Sequence, residues 1–124
     1  MGGSTAGGNV PNGTSYWPVT GSSIAFTTES IAQQPMGSAA TLVNIAIVLE
    51  TDPGSGKGWD MNVRKNGATV MTVTCLSGGG GTIPKVCSTT GTATFATGDL
   101  ISVQLVGNGN PTAKPISFRM TFAP

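Results

Sequence analysis

The chain has 124 residues and a mass of 12.4 kDa, enough for one domain and one core, with a folded surface of roughly 6,100 Å² against about 18,000 Å² unfolded. Gly and Pro supply 27 residues and Ser and Thr 29, whereas charged residues are 9% and the formal net charge is +1. There is no His, so imidazole is excluded as general base, proton shuttle or metal ligand, and six scattered Lys and Arg do not make the basic patch that nucleic-acid binding needs.

Ile, Leu, Val and Phe make up 26 residues, about 21%, which with so little net charge points to a folded chain. The 19 glycines raise the conformational entropy lost on folding, so self-association is expected to add burial to a small core. No window approaches the ~20 apolar residues of a membrane-spanning helix. Met1-Gly2-Gly3-Ser4 has neither the basic nor the apolar segment of a signal peptide, so a soluble protein without a secretion address is expected.

Residues 1–15, MGGSTAGGNVPNGTS, hold one aliphatic residue, Val10, and no charge, and read as a Gly-rich N-terminal arm. Residues 16–124 form the domain. Val10, Tyr16 and Trp17 are candidate anchors for the arm; Tyr16 and Trp17 are alternatively sugar-stacking residues or simply the start of the first strand. From Tyr16 onward apolar positions recur with period two between Gly, Pro, Asn and Asp, and no segment has a convincing helical period. Candidate strands lie near 16–20, 24–29, 41–50, 58–65, 69–76, 92–96, 100–106 and 115–122.

In the 41–50 segment, TLVNIAIVLE, Val43, Ile45, Ile47 and Leu49 fill one face while Leu42, Ala46 and Val48 occupy the other. A strand apolar on both faces needs cover on both: a neighbouring subunit, the arm, or a loop of the same chain. Leu42, Ala46 and Val48 are thus the candidate subunit-interface face. Trp59 leads a core-facing set. Asn66-Gly67, between two alternating runs, supplies the two positive φ angles of a type I′ hairpin turn. Gly98-Asp99 marks another turn, and the run from Gly107 to Pro111 a wider one. Eight short antiparallel strands predict an all-β sandwich, and eight is the number of a jelly roll.

Cys75 and Cys87 flank a run of glycines, Gly78 to Gly81, read as a mobile loop. The two cysteines either close a disulfide across that loop or are unpaired core residues. Without His they cannot complete an ordinary zinc site, so no metal is expected. The carboxylates are Glu29, Glu50, Asp52, Asp60 and Asp99. Glu50 and Asp52 stand at a strand end beside Pro53-Gly54 and suit a turn better than paired-carboxylate glycoside hydrolysis. Lys57, Lys65, Lys85 and Lys114 have turn-like surroundings, and segment 77–81 lacks the Gly-Lys-Ser/Thr of a phosphate cradle. No cofactor and no catalytic residue are expected.

The runs GWDMNVRKNG (58–67), VMTVTC (70–75) and TATFATGDLISVQLV (92–106), with a final alternating strand, carry a likeness. Over residues 40–122 the chain resembles the jelly-roll heads of the tumour-necrosis-factor and complement-head type, especially those of bacteriophage virion proteins and collagen-like bacterial surface proteins. The resemblance implies a compact homotrimer with a structural or adhesive role. The absence of a collagen-like stalk or coiled-coil shaft favours a virion component. The expected function is therefore a capsid decoration or head-fibre subunit of a tailed phage, made in the host cytoplasm, bound to a capsid or tail protein through residues 1–15, and without nucleic-acid or membrane partners. The alternative is a receptor- or carbohydrate-binding knob of a tail fibre or bacterial adhesin, with function in loops 77–85 and 107–113.

Overall fold

The computed structural model describes residues 2–4, 9–78 and 83–123. Among the described residues, nine strands and one short helix follow in order: β1 (Gly2–Ser4), β2 (Thr14–Trp17), α1 (Glu29–Ala32), β3 (Gln34–Pro35), β4 (Ala40–Leu49), β5 (Gly58–Lys65), β6 (Ala68–Leu76), β7 (Lys85–Phe95), β8 (Leu100–Asn108) and β9 (Ile116–Ala123). They form two antiparallel sheets, one ordered β1-β9-β4-β7 and the other β2-β8-β5-β6, with β3 pairing beside β2 on β8. The chain is an all-β sandwich.

The alternating pattern explains the core. Trp59, Met61 and Val63 of β5, Ile101, Val103 and Leu105 of β8, and Ile116, Phe118 and Met120 of β9 all point between the sheets. Each residue between them faces outward, as period-two strands require. The β5–β6 hairpin turns at Asn66 and Gly67, whose φ angles of 50° and 83° meet the positive values of the type I′ turn. Gly58 is needed for another reason: a Cβ there would collide with the carbonyl oxygen of Cys75 on the adjacent strand. The indole Nε1 of Trp17 donates to Ser15 Oγ at 2.9 Å, and that of Trp59 to the Pro11 carbonyl at 3.1 Å. Each buried ring thus keeps a partner for its one polar atom.

Several expectations change in the folded chain. The described part of residues 1–15 is built into the sandwich and is not a separate arm. Gly2–Ser4 pairs with Ser117–Arg119, Val10 bridges to Lys114 and is fully buried, and β2 begins at Thr14. Val10 fills a core position that composition alone does not reveal. In β4 the registers with both neighbours shift between Leu42 and Asn44. Val43 breaks the alternation there, so Leu42 turns inward with Ile45, Ile47 and Leu49 and joins the core, leaving the predicted interface face. Ala46 and Val48 remain on the outer face, but Ala46 is fully buried within the chain and Val48 half-buried.

The 24–29 segment is not a strand. Phe26 makes one bridge to Tyr16, and the chain then forms the single helical turn α1. Strand β7 starts at Lys85, seven residues before the predicted 92–96 run. Its inward positions Cys87, Thr89 and Gly91 carry too little apolar bulk to read as a core face.

Candidate functional site

The outer face of the five-stranded sheet carries a row of side chains that register fixes one per strand. Tyr16 lies opposite Gln104, Gln104 opposite Asn62, and Asn62 opposite Thr72. Beyond β2, Phe26 stands opposite Tyr16, joined by two backbone hydrogen bonds of 2.8 and 3.2 Å. Directly opposite residues share a face, so five side chains line up as aromatic, aromatic, amide, amide, hydroxyl. Neighbours are linked with one polarity: Thr72 Oγ1 donates to Asn62 Oδ1 at 2.7 Å, Asn62 Nδ2 to Gln104 Oε1 at 2.8 Å, and Gln104 Nε2 to Tyr16 Oη at 3.2 Å. Hydrogen bonds oriented head to tail polarise one another. Tyr16, Gln104 and Asn62 are half-buried and Thr72 is exposed.

Two charged groups flank the row. On one side Arg64 forks onto Glu29, with Nε to Oε1 at 3.0 Å and Nη2 to Oε2 at 3.1 Å, while Ser102 Oγ donates to Glu29 Oε1 at 3.3 Å. This bidentate pair ties α1 to the sheet, and the carboxylate hydrogen bond raises the Arg64 pKa further above its ordinary value. On the other side Thr74 Oγ1 donates to Asp60 Oδ1 at 2.7 Å and Asn108 Nδ2 to the same oxygen at 3.4 Å.

The remaining carboxylates hold turns. Asp52 accepts from the Gly54 N–H and the Ser77 hydroxyl, each at 2.8 Å, and these bonds hold its pKa below the usual carboxylate range, the backbone one contributing most. Asp99 accepts from the Ala96 N–H at 2.8 Å and from Asn66 Nδ2 at 3.1 Å, which lower its pKa in the same order. Glu50 accepts from Ser117 Oγ at 2.8 Å. Each of the five carboxylates is thus engaged by the fold, and Glu50 and Asp52 bond to different partners, Ser117 for the first and Gly54 and Ser77 for the second. Among the described residues no group of three or more Cys, Asp or Glu could hold a metal ion.

Cys75 and Cys87 are joined as a disulfide with Cα atoms 5.5 Å apart, linking edge strand β6 of one sheet to edge strand β7 of the other. Most of the glycine run between them, Gly79 to Thr82, lies outside the described residues. Lys65 is not a turn lysine: its ammonium donates to the Thr94 carbonyl at 2.7 Å and lies 3.7 Å from Asp99. Trp17 is fully buried, which removes it as a sugar-stacking residue, whereas Tyr16 faces outward one position earlier. A separate depression of about 270 Å³ is lined by Val19, Gln34, Met36 and Ile101, and Gln34 Oε1 is buried there with no donor among the described residues.

Sequence reasoning found Tyr16 but missed Asn62, Gln104 and Thr72. They appear as ordinary outward positions of three strands far apart in sequence, and only the register brings them together. No protein-family model matches the chain, and no curated protein shows significant sequence similarity to it.

Proposed function

We propose that this protein is a homotrimeric structural component of a tailed-phage particle, a capsid decoration or head-fibre subunit of jelly-roll type, attached to a capsid or tail protein by its N-terminal end. The strand order carries the reading. Going along the chain, β4 lies in one sheet, β5 and β6 in the other, and β7, β8 and β9 alternate between the two, with the first strand beside the last. This interleaving supports a jelly roll over a simple meander, in which sequential strands would stay neighbours. The engagement of all five carboxylates in turns and sheet contacts supports a structural role over a catalytic one. The three-residue edge strand β1 supports attachment near the N-terminus, because its side away from β9 lies at the border of the sheet.

Light scattering on the purified chain tests the assembly. Three copies of 12.4 kDa give about 37 kDa, and a species of 12.4 kDa in dilute buffer would end the trimer reading. Peptide mass spectrometry on gradient-purified particles of a phage encoding the chain tests the location; its absence from intact particles would end the virion reading.

A further inference from the structure

We propose that the outward row Phe26–Tyr16–Gln104–Asn62–Thr72 is a binding face for a neutral oligosaccharide lying across the strands. This site needs neither the trimer nor the particle, and it sits on the sheet and not in the loops at 77–85 or 107–113.

The donor inventory is the first reason. In the Thr72→Asn62→Gln104→Tyr16 series each amide uses one of its two N–H groups within the row. Asn62 and Gln104 therefore each keep a second N–H. Tyr16 Oη accepts from Gln104 while its own proton has no acceptor among the described residues. Three donors thus stand in line on half-buried side chains whose orientation is fixed by their neighbours. Sugar hydroxyl and ring oxygens are acceptors that such fixed, planar groups meet at little further entropic cost.

The second reason is the pairing of polar and apolar surface. Phe26 and Tyr16 put two aromatic rings at one end of the row, suited to the C–H faces of a pyranose, and the amides follow immediately. A water-facing sheet surface needs neither half-buried aromatics nor an amide ladder; threonine and charged residues would satisfy it. The third reason is charge. Arg64 is neutralised by Glu29, and Asp60 is held by Thr74 and Asn108, so among the described residues no free cation marks the row for an acidic ligand. Four inter-strand steps of about 4.8 Å make the row roughly 19 Å long, which suits a chain of several sugars and not one.

The test is a ¹H–¹⁵N titration of the full chain with cellohexaose, maltohexaose and chitohexaose in turn, following the side-chain amide signals of Asn62 and Gln104. At least one hexasaccharide is expected to shift both pairs of signals. Tyr16→Phe, which deletes the terminal donor and keeps the ring, is expected to weaken that binding about tenfold, while Thr112→Ala, outside the row, leaves it unchanged. If none of the three sugars moves the two amides, or if shifts centre on Gln34 and Met36 or on residues 107–113, the proposal is overturned. Unchanged affinity in Tyr16→Phe overturns it equally. The backbone spectrum of each variant reports folding, and the mass of the assembly is read separately, so neither outcome bears on the trimer.

Discussion

Trp59 shows how a single side chain can fix chain ends that composition assigns to a linker. Its indole donates to the Pro11 carbonyl, and Val10, the residue before it, is fully buried and bridged to Lys114. Trp59→Phe removes the donor and shrinks a fully buried ring; an expected loss of about 2–4 kcal/mol in urea unfolding, with faster amide exchange at Val10, combines the unmade partly buried hydrogen bond with the cavity left in the core. Unchanged exchange at Val10 would mean that the tie to Pro11 does not hold this segment. Asp52 and Asp99 set a pH dependence at the same scale. Both have pKa values lowered by folding, so the unfolded chain binds protons more readily. Their contribution is present above the unfolded value of about 3.9 and is lost as pH falls through the lower folded values. The melting temperature should therefore fall below about pH 4 and fall less steeply in the double variant Asp52→Asn, Asp99→Asn; parallel acid profiles would contradict this.

At the scale of elements, the most informative strand is β7. Its inward residues are Cys87, Thr89, Gly91, Ala93 and Phe95, so half of it packs with small or hydroxyl side chains and needs other support. The disulfide supplies it by fastening β7 to β6 across the side of the sandwich. For the loop between Cys75 and Cys87, separated by 12 positions, the chain-entropy treatment gives about 3 kcal/mol. Cys75→Ser with Cys87→Ser should lower the denaturant midpoint accordingly, and a reducing agent should do so in the natural chain but not in the variant. The start of β5 has a steric requirement. Gly58→Ala would push a methyl group into the Cys75 carbonyl, and a loss of several kcal/mol is expected from such overpacking in a buried strand pair, measurable as a depressed melting temperature. The hairpin between these strands was legible residue by residue, since Asn66-Gly67 carries its own backbone conformation. The β4 irregularity at Val43 was not. An alternating apolar count places Leu42 outward, and only pairing with both β7 and β9 reveals the extra residue that turns it inward.

For the whole molecule, the interleaved strand order and the outer side of β4, β7 and β9, where small uncharged residues predominate and Arg119 stands opposite Ala46, bear on assembly. Val86 is 53% exposed and Val48 half-buried on that side, next to Ser88 and Ser117. If copies pack through this surface, Val86→Lys should reduce the light-scattering mass toward that of one chain while leaving the β-sheet circular dichroism intact; an unaltered mass would place the contact elsewhere. What the amino-acid sequence determined by itself was the class of fold, the tight hairpin and most inward residues of β5, β8 and β9. Each of these is a local property, set by period-two burial or by the φ angles a residue tolerates. The place of Val10 in the core, the inward turn of Leu42, the closure of the disulfide and the row from Phe26 to Thr72 were decided only by tertiary structure. They depend on pairing between segments as far apart in the chain as Val10 and Lys114, or Gly2 and Arg119, and no short window of sequence contains that information.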